Sequence, residues 1–237
     1  MLWPFMDLFS NLKQTRQRIK ESCARAGRNP DEVTLVAVSK GHPPDVVREA
    51  VELGQILFGE NKVQEAKAKI PLCPSDARWH MIGHLQTNKC RDAVQLFDMI
   101  HGVDSLRLAQ ELDKCAERAA RTVPILLEVN IAAESSKFGY DPTRLLEELD
   151  EINRLPRVEI HGLMAMAPWS QDSERARPIF RQLRMLRTEA EQRLGAPLPH
   201  LSMGMSGDFE IAVEEGATMI RLGTCLFGQR RRTQTRN

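Results

Sequence analysis

The amino-acid sequence predicts an α/β fold, a single (β/α)8 TIM barrel with an extra N-terminal helix. Eight short apolar segments typical of strands alternate with helical segments, and eight is the strand count of this barrel. A doubly wound open sheet needs fewer strands, and no G-x-G-x-x-G motif follows the first one. No linker, repeat or low-complexity stretch divides the 237 residues, so one domain over residues 1–237 is expected.

The first two segments establish the alternation. Apolar side chains at helical spacing predict an opening amphipathic helix, and they are Leu8, Leu12, Ile19 and Cys23. The Gly-Arg-Asn-Pro run over residues 27–30 ends that helix, because glycine and proline interrupt helical backbone. The apolar run over residues 34–40 is followed by Gly41 and two prolines, which predicts a short buried strand.

The same alternation continues to residue 222. Further strands are predicted over residues 56–58, 78–82, 98–101, 123–130, 158–166, 200–202 and 217–222. The helices that follow strands are predicted over residues 45–53, 63–70, 86–96, 105–120, 142–155, 172–194 and 208–215. Gly54 closes the first of these helices, and Ser105 is a suitable N-cap for the fourth.

Composition and charge exclude several function classes. A formal net charge of +1 gives no electrostatic basis for binding nucleic acid or a membrane surface, and no apolar run approaches bilayer length. The five cysteines form no C-x-x-C pair and are expected to be free thiols in a reducing cytoplasm. His80 and His84 lack a third ligand, so no metal site is expected. Residues 230–237 are expected to form a flexible basic tail.

Lys40 is the most informative single residue. It ends the first predicted strand, at the edge of the sheet where a (β/α)8 barrel places its ligands. An amine whose stem lies among apolar neighbours loses its proton more readily than a solvated one, and it can then attack an aldehyde. A solvated lysine at a strand end is the alternative that this segment alone leaves open.

The loops after the seventh and eighth strands carry small residues, at the positions where such barrels commonly bind phosphate. The first reads SMGMSGD over residues 202–208, where two glycines allow close backbone approach and Ser206 offers a hydroxyl. The second is a turn containing Gly223 and Thr224. Taken singly, each loop is also compatible with a simple helix-capping turn.

A phosphate site together with a nucleophilic amine suggests pyridoxal 5′-phosphate (PLP), whose aldehyde forms a Schiff base with lysine. Arg221 would leave the pyridine nitrogen unprotonated if it faced that atom, because a guanidinium only donates hydrogen bonds. Pairing of Arg221 with a surface carboxylate is equally compatible with the spacing. A barrel that binds a phosphorylated metabolite without PLP, with Lys40 acting as a point charge, is a further alternative.

Several longer motifs are informative together. They are residues 37–40 (AVSK), 58–65 (FGENKVQE), 79–89 (WHMIGHLQTNK), 134–139 (ESSKFG), 162–164 (GLM), 202–206 (SMGMS) and 221–224 (RLGT). This set resembles the pyridoxal phosphate homeostasis protein family, single-barrel relatives of the N-terminal domain of alanine racemase. The resemblance is in register from residue 8 to residue 229, nearly the whole chain.

The resemblance implies a barrel that holds PLP covalently as a Schiff base on Lys40 and takes part in intracellular PLP homeostasis. It suggests apo-enzymes that use PLP as recipients. By the same resemblance, Ser206 and the backbone around Gly223 and Thr224 hold the phosphate, and Arg221 faces the pyridine nitrogen. The complete set of implied cofactor-binding residues is Lys40, Asn61, Met203, Gly204, Ser206, Arg221, Gly223 and Thr224.

Two positions depart from the family pattern, Gly41 where threonine is frequent and Lys62 where tyrosine is frequent. Both changes bear on how the cofactor ring is flanked. Glu60 and Glu65 lie on either side of a helix start and are interpreted as a cap and a solvated face. Lys137 is a candidate second amine that would receive PLP during transfer.

A non-catalytic PLP carrier and an amino-acid racemase of the alanine racemase type are the two main functional alternatives. Two-base racemisation needs a second proton acceptor opposite the lysine, a tyrosine in alanine racemase that comes from a second, β-rich domain of a partner subunit. The predicted βα units are followed here by a short tail, and Tyr140 is the sole tyrosine. The carrier is therefore the expected function, with no catalytic residues, and a monomer is expected.

Overall fold

The computed structural model describes residues 7–134 and 138–228, and it confirms the predicted barrel. Eight parallel strands close on themselves in chain order, with the last strand paired to the first. They are β1 (Thr34–Val38), β2 (Leu57–Glu60), β3 (Arg78–Met81), β4 (Met99–Val103), β5 (Val123–Glu128), β6 (Val158–Met164), β7 (His200–Ser202) and β8 (Met219–Leu222). Because the strands are all parallel, their carboxyl ends open on one face, where ligands bind in such barrels.

The described part of the chain contains nine α-helices. They are α1 (Leu8–Arg25), α2 (Pro44–Glu52), α3 (Val63–Lys69), α4 (Cys90–Leu96), α5 (Leu106–Arg118), α6 (Pro142–Asn153), α7 (Arg177–Leu194), α8 (Phe209–Glu214) and α9 (Thr224–Phe227). Helix α1 is the predicted extra helix before the first strand, and it packs against α8 and α9. The helices predicted over residues 86–96 and 172–194 begin with 3₁₀ turns, Thr87–Lys89 and Ser173–Ala176.

Capping side chains explain where several helices begin and end. Asp7 caps α1 and Asp141 caps α6, each by accepting backbone N–H groups of the first turn. The predicted N-cap Ser105 accepts from the backbone N–H of Leu108 at 3.3 Å. Gly195 ends α7 with a φ of 63°, a left-handed conformation that glycine adopts without steric cost.

The apolar core forms two layers on the two sides of the sheet. The larger layer lies between strands and helices, and the smaller one fills the barrel with Val36, Val38, Ile82, Met99, Leu126, Met164 and Met219. Successive side chains of a strand point to opposite faces. In β8, Ile220 and Leu222 belong to the outer layer, which leaves Arg221 facing the barrel interior.

Most element boundaries differ from the prediction by one or two residues. Two of the differences matter for the site. Strand β1 ends at Val38 and not at residue 40, whereas β2 extends to Glu60 and not only to residue 58. Pairing with β3, in which Glu60 lies opposite Met81, holds the additional residues of β2 in the sheet.

Some predictions fall outside the described residues. The basic tail over residues 230–237 and Lys137 both lie there, so the single-domain prediction over residues 1–237 stays a prediction. Within residues 7–134 and 138–228, no helix combines the length and hydropathy needed to cross a membrane. The same residues contain no group of three or more His, Cys, Asp or Glu side chains suited to a metal ion.

Candidate functional site

Lys40 lies in a tight turn two residues beyond the end of β1. The turn is closed by the backbone N–H of His42, which donates to the carbonyl oxygen of Ser39 at 3.0 Å. Gly41 has a φ of 74°, a conformation that a threonine here would adopt only with strain. The turn therefore gives a local reason for glycine at this departure from the family pattern, and it leaves Lys40 half-buried beside a cavity.

The cavity has a volume of about 510 Å³ and lies at the carboxyl ends of the strands. Six of the predicted site residues line it: Lys40, Asn61, Ser206, Arg221, Gly223 and Thr224. The loop between β6 and α7 supplies a further part of the wall, where Trp169 is 85% exposed. Because β7, β8, β1 and β2 are consecutive around the closed barrel, the amine and the small-residue loops are neighbours.

Met203 and Gly204, the other two predicted site residues, do not line this cavity among the described residues. Met203 is fully buried in the outer core layer. Gly204 has a φ of 94°, and a Cβ there would lie 2.6 Å from the Cβ of Ala212. Its carbonyl oxygen accepts from the backbone N–H of Arg221 at 3.0 Å, so it ties the β7 loop to β8.

The two small-residue loops contact each other at the cavity wall. The Ser206 hydroxyl oxygen accepts from the backbone N–H of Cys225 at 3.4 Å. Gly223 is packed so closely that a Cβ there would lie 3.3 Å from the carbonyl oxygen of Val38, whereas Gly207 faces open space. Both loops thus offer small side chains and accessible backbone to a ligand, as phosphate binding requires.

Arg221 is buried inside the barrel next to the cavity. It donates to the Ser202 hydroxyl at 2.6 Å and to the carbonyl oxygen of Ala165 at 3.0 Å. Burial lowers the pKa of Arg221 to about 10, and the carboxylates of Glu128 and Asp208 oppose that shift. The guanidinium therefore remains charged at neutral pH, and its hydrogen bonds to Ser202 and Ala165 are internal, unlike the alternative of a surface carboxylate partner that the spacing left open.

Two histidines extend this hydrogen-bond chain, which we call the relay: Arg221, Ser202, His101 and His80. Ser202 lies 2.9 Å from His101 Nδ1, and His101 Nε2 lies 2.9 Å from His80 Nδ1. Burial lowers the pKa of His80 to about 4 and that of His101 well below its usual value. Since arginine only donates, the Ser202 proton is assigned toward His101, and both neutral rings then carry hydrogen on Nε2.

Glu128 adds a titratable group beside the relay. It ends β5, faces the barrel interior and is 3% exposed. Burial raises the pKa of this carboxyl to about 7, Asp104 raises it further, and Arg221 opposes the shift. Glu128 and His101 had no local sequence signal, and His80 was considered only for metal binding, because residues of β3, β4, β5, β7 and β8 meet only when the barrel closes.

Glu60 and Lys69 form a second buried polar group that sequence reasoning missed. The interpretation of Glu60 as a helix cap is wrong, because its side chain is fully buried and accepts from Lys69 Nζ at 2.7 Å. Glu65 is only part-buried and accepts from the same amine at 3.1 Å. The i,i+4 spacing of Glu65 and Lys69 was the available signal.

Other residues considered from the sequence lie outside the cavity lining. His84 contacts Asp104 at 3.1 Å and stacks on Phe138 with ring centroids 3.6 Å apart. Tyr140 is 1% exposed, and burial, followed by the nearby Glu148, raises the pKa of its hydroxyl. Neither Tyr140 nor His84 borders the cavity that Lys40 lines.

Comparison with known proteins shows the family of this chain. The family model for the alanine racemase N-terminal domain matches residues 10–231. Pyridoxal phosphate homeostasis proteins are 42% identical in Aquifex aeolicus (strain VF5), over 95% of this chain and 100% of that protein, and 40% identical in Escherichia coli (strain K12), over 94% and 97%. The chain belongs to this family.

Solved structures of family members have the same architecture. PipY of Synechococcus elongatus PCC7942 with PLP bound is similar at a TM-score of 0.79 and 42% identity, covering 90% of this chain and 100% of that one. The same protein without PLP gives 0.81 and 43%, covering 90% and 99%. An alanine racemase of Clostridium difficile 630, at 14% identity and a TM-score of 0.70, covers 93% of this chain and 57% of that one, and it shows the shared fold alone.

Proposed function

We propose that this protein binds PLP covalently through Lys40 and serves in cytoplasmic PLP homeostasis as a carrier, without catalytic turnover. The observation that carries the proposal is one cavity lined by a lysine amine, a buried arginine and two small-residue loops. Family relatives named for pyridoxal phosphate homeostasis, and the PLP-bound PipY structure, support the same ligand.

The residues present fit this cofactor. Asn61 Oδ1 is buried in the cavity wall and has no hydrogen-bond partner within the described residues, so it is an acceptor available to a ligand donor. Ser206, with Gly223 and Thr224, would hold the phosphate through hydroxyl and backbone groups. Lys40 lies beside them in the turn after the adjoining strand β1, so phosphate anchoring and amine attack are compatible in one cavity.

When bound, PLP would supply an aldehyde with which the Lys40 amine can condense, forming a C=N bond and releasing one water. Arg221 holds its charge beside the cavity and presents donors only, so it gives no proton acceptor to the pyridine nitrogen. Ser202 fixes the position of the guanidinium by accepting its hydrogen bond, and His101 in turn fixes the Ser202 hydroxyl. These residues would orient the cofactor, which suits a carrier.

The racemase alternative needs a second base in the cavity. The only tyrosine of the chain, Tyr140, is buried elsewhere and does not line the cavity. Within the described residues, no tyrosine therefore faces Lys40. An amino-acid turnover of about 1 s⁻¹ by the purified protein, within the ordinary range of enzymes, would overturn the carrier proposal.

Recipients and location follow from the same proposal. Apo-enzymes that use PLP are the recipients, the protein acts as a monomer, and the reducing cytoplasm suits five free cysteines. Met203 and Gly204 support the phosphate loop from the core side without lining the cavity.

Reduction of the loaded protein with borohydride, followed by peptide mass spectrometry, tests the proposal. We expect a yellow sample whose reduced adduct lies on Lys40, and a colourless Lys40→Ala variant. Lys67→Ala is the matched control, an exposed lysine outside this cavity lining, and it should keep the chromophore. A Lys40→Ala variant with full chromophore would overturn the proposal. A colourless wild-type protein that still binds phosphate would indicate a phosphorylated-metabolite site instead.

A further inference from the structure

The turn that carries Lys40 is attached to buried charges on its outer side. Lys69, the last residue of α3, is 6% exposed and donates to the carbonyl oxygen of Ser39 at 2.8 Å. The same amine donates to Glu60 Oε1 at 2.7 Å and to Glu65 Oε1 at 3.1 Å. A lysine of the helix layer is thus hydrogen-bonded to the residue that immediately precedes Lys40.

The two carboxylates reach the turn directly as well. The Ser39 hydroxyl donates to Glu60 Oε1 at 2.7 Å, and the backbone N–H of Gly41 donates to Glu65 Oε1. Contacts therefore hold both chain neighbours of Lys40. We call Glu60, Glu65 and Lys69 the clamp.

Packing alone gives no reason for these charges. Burying an ion pair costs desolvation that its attraction seldom exceeds, and an apolar pair of similar volume is commonly as stable or more so. Glu60 Oε2 also has no hydrogen-bond partner among the described residues, which adds to the cost. Burial raises the pKa of Glu60, with the Lys69 and Ser39 contacts opposing the shift. Buried charges that cost stability and surround a single turn indicate that they have a functional role at that turn.

We propose that the clamp holds the Lys40 turn in the position from which its amine reaches the aldehyde of PLP, which makes Glu60, Glu65 and Lys69 positioning residues. This inference rests on the proposed function, because it concerns the same amine. Glu60 also precedes Asn61, so the clamp fixes the ends of β1 and β2 together. Reacting atoms held in contact and correctly oriented react far faster than free ones. A displacement of about 1 Å lowers the reaction rate by up to about a hundredfold.

Glu65→Ala is the sharpest test because Glu65 is 31% exposed and Lys69 keeps its contacts to Glu60 and Ser39 without it, so the fold should persist. We expect the C=N chromophore to form at least about tenfold more slowly after mixing apo-protein with PLP. Glu65→Gln keeps an acceptor for the Gly41 N–H and should form it within about twofold of the wild-type rate. Asp92→Ala is the matched control, since it removes the ion pair to Lys67 of the same helix without touching the turn.

The measurement is stopped-flow absorbance, with timed borohydride trapping and mass spectrometry to quantify adduct on Lys40, and circular dichroism to confirm equal folding. Slow labelling in Glu65→Ala, with normal labelling in Glu65→Gln and Asp92→Ala, supports the clamp. Wild-type-like labelling in Glu65→Ala, or equal slowing in Asp92→Ala, would overturn the inference and leave the proposed function intact. Absence of Lys40 adduct in the wild type would instead overturn the proposed function.

Discussion

The clamp, on the outer side of the Lys40 turn, and the relay, inside the barrel, bury polar side chains in opposite ways. In the clamp, Lys69 and Glu60 place opposite charges 2.7 Å apart. In the relay, burial lowers the pKa of His80 to about 4, so the histidines are neutral and Arg221 alone carries charge. Pairing and neutralisation both reduce the cost of desolvating a charge. The clamp should therefore lose stability when one partner is removed, whereas the stability contributed on the relay side should depend on pH.

The largest expected effect comes from breaking the clamp pair. Lys69→Met keeps an unbranched side chain of similar volume and leaves Glu60 buried without its cation. We expect a loss of about 3–5 kcal/mol in the free energy of unfolding, the usual cost of an uncompensated buried charge. Urea unfolding followed by circular dichroism measures it.

A double variant tests the same charge pair of Glu60 and Lys69. Glu60→Gln with Lys69→Met removes both charges and should recover most of the stability lost in the single variant. Equal stability of the single variant and the wild type would contradict the description of the clamp as a buried charge pair.

The second largest effect concerns Glu128 beside the relay, whose contribution to stability should depend on pH. The pKa of Glu128 is raised by burial from 4.5 to about 7, so between these values the folded protein keeps a proton that the unfolded chain has released. The contribution of Glu128 to the free energy of unfolding is therefore present below pH 4.5, and it is lost as the pH rises to about 7. At about 1.4 kcal/mol per pKa unit, the loss is about 3 kcal/mol.

His80 changes the stability in the opposite direction over an overlapping pH range. The pKa of His80 is lowered from 6.5 to about 4, so its contribution grows as the pH rises between these values. The difference between wild type and Glu128→Gln isolates the carboxyl. We expect equal stability near pH 4.5 and a variant about 3 kcal/mol more stable at pH 8, measured by urea unfolding across that range. A difference that does not change with pH would show that Glu128 is ionised normally.

The parts of this site that the sequence predicted are local in the chain. Lys40 was found because an apolar run ends there, and Ser206, Gly223 and Thr224 because small residues follow strands seven and eight. The barrel itself followed from alternating periodicity. The family resemblance, and not spacing, supplied Asn61 and the orientation of Arg221.

The parts that were missed depend on contacts between distant segments. Glu60 looked like a helix cap, and only its pairing with Met81 of β3 shows that it belongs to a strand. Lys69 reaches Ser39, which is 30 residues away in the chain. Ser202 and His101 are 101 residues apart and meet inside the closed barrel. No periodicity within one segment contains that information.

The smallest effect concerns the centre of the relay. Ser202→Ala removes the hydroxyl that accepts from Arg221 at 2.6 Å and lies 2.9 Å from His101 Nδ1. The cost should be about 1–3 kcal/mol of unfolding free energy, because two buried groups each lose a partner but no charge loses its counter-ion. Ser173→Ala is the matched control, a serine that lines the cavity outside the relay, and it should cost less than about 0.5 kcal/mol.

Because Ser202 fixes the position of Arg221, Ser202→Ala should also shift the absorption maximum of the PLP-loaded protein while leaving the adduct on Lys40. An unchanged spectrum together with unchanged stability would show that the relay does not position Arg221, and the contrast with the clamp would then reduce to the pH behaviour of Glu128 alone.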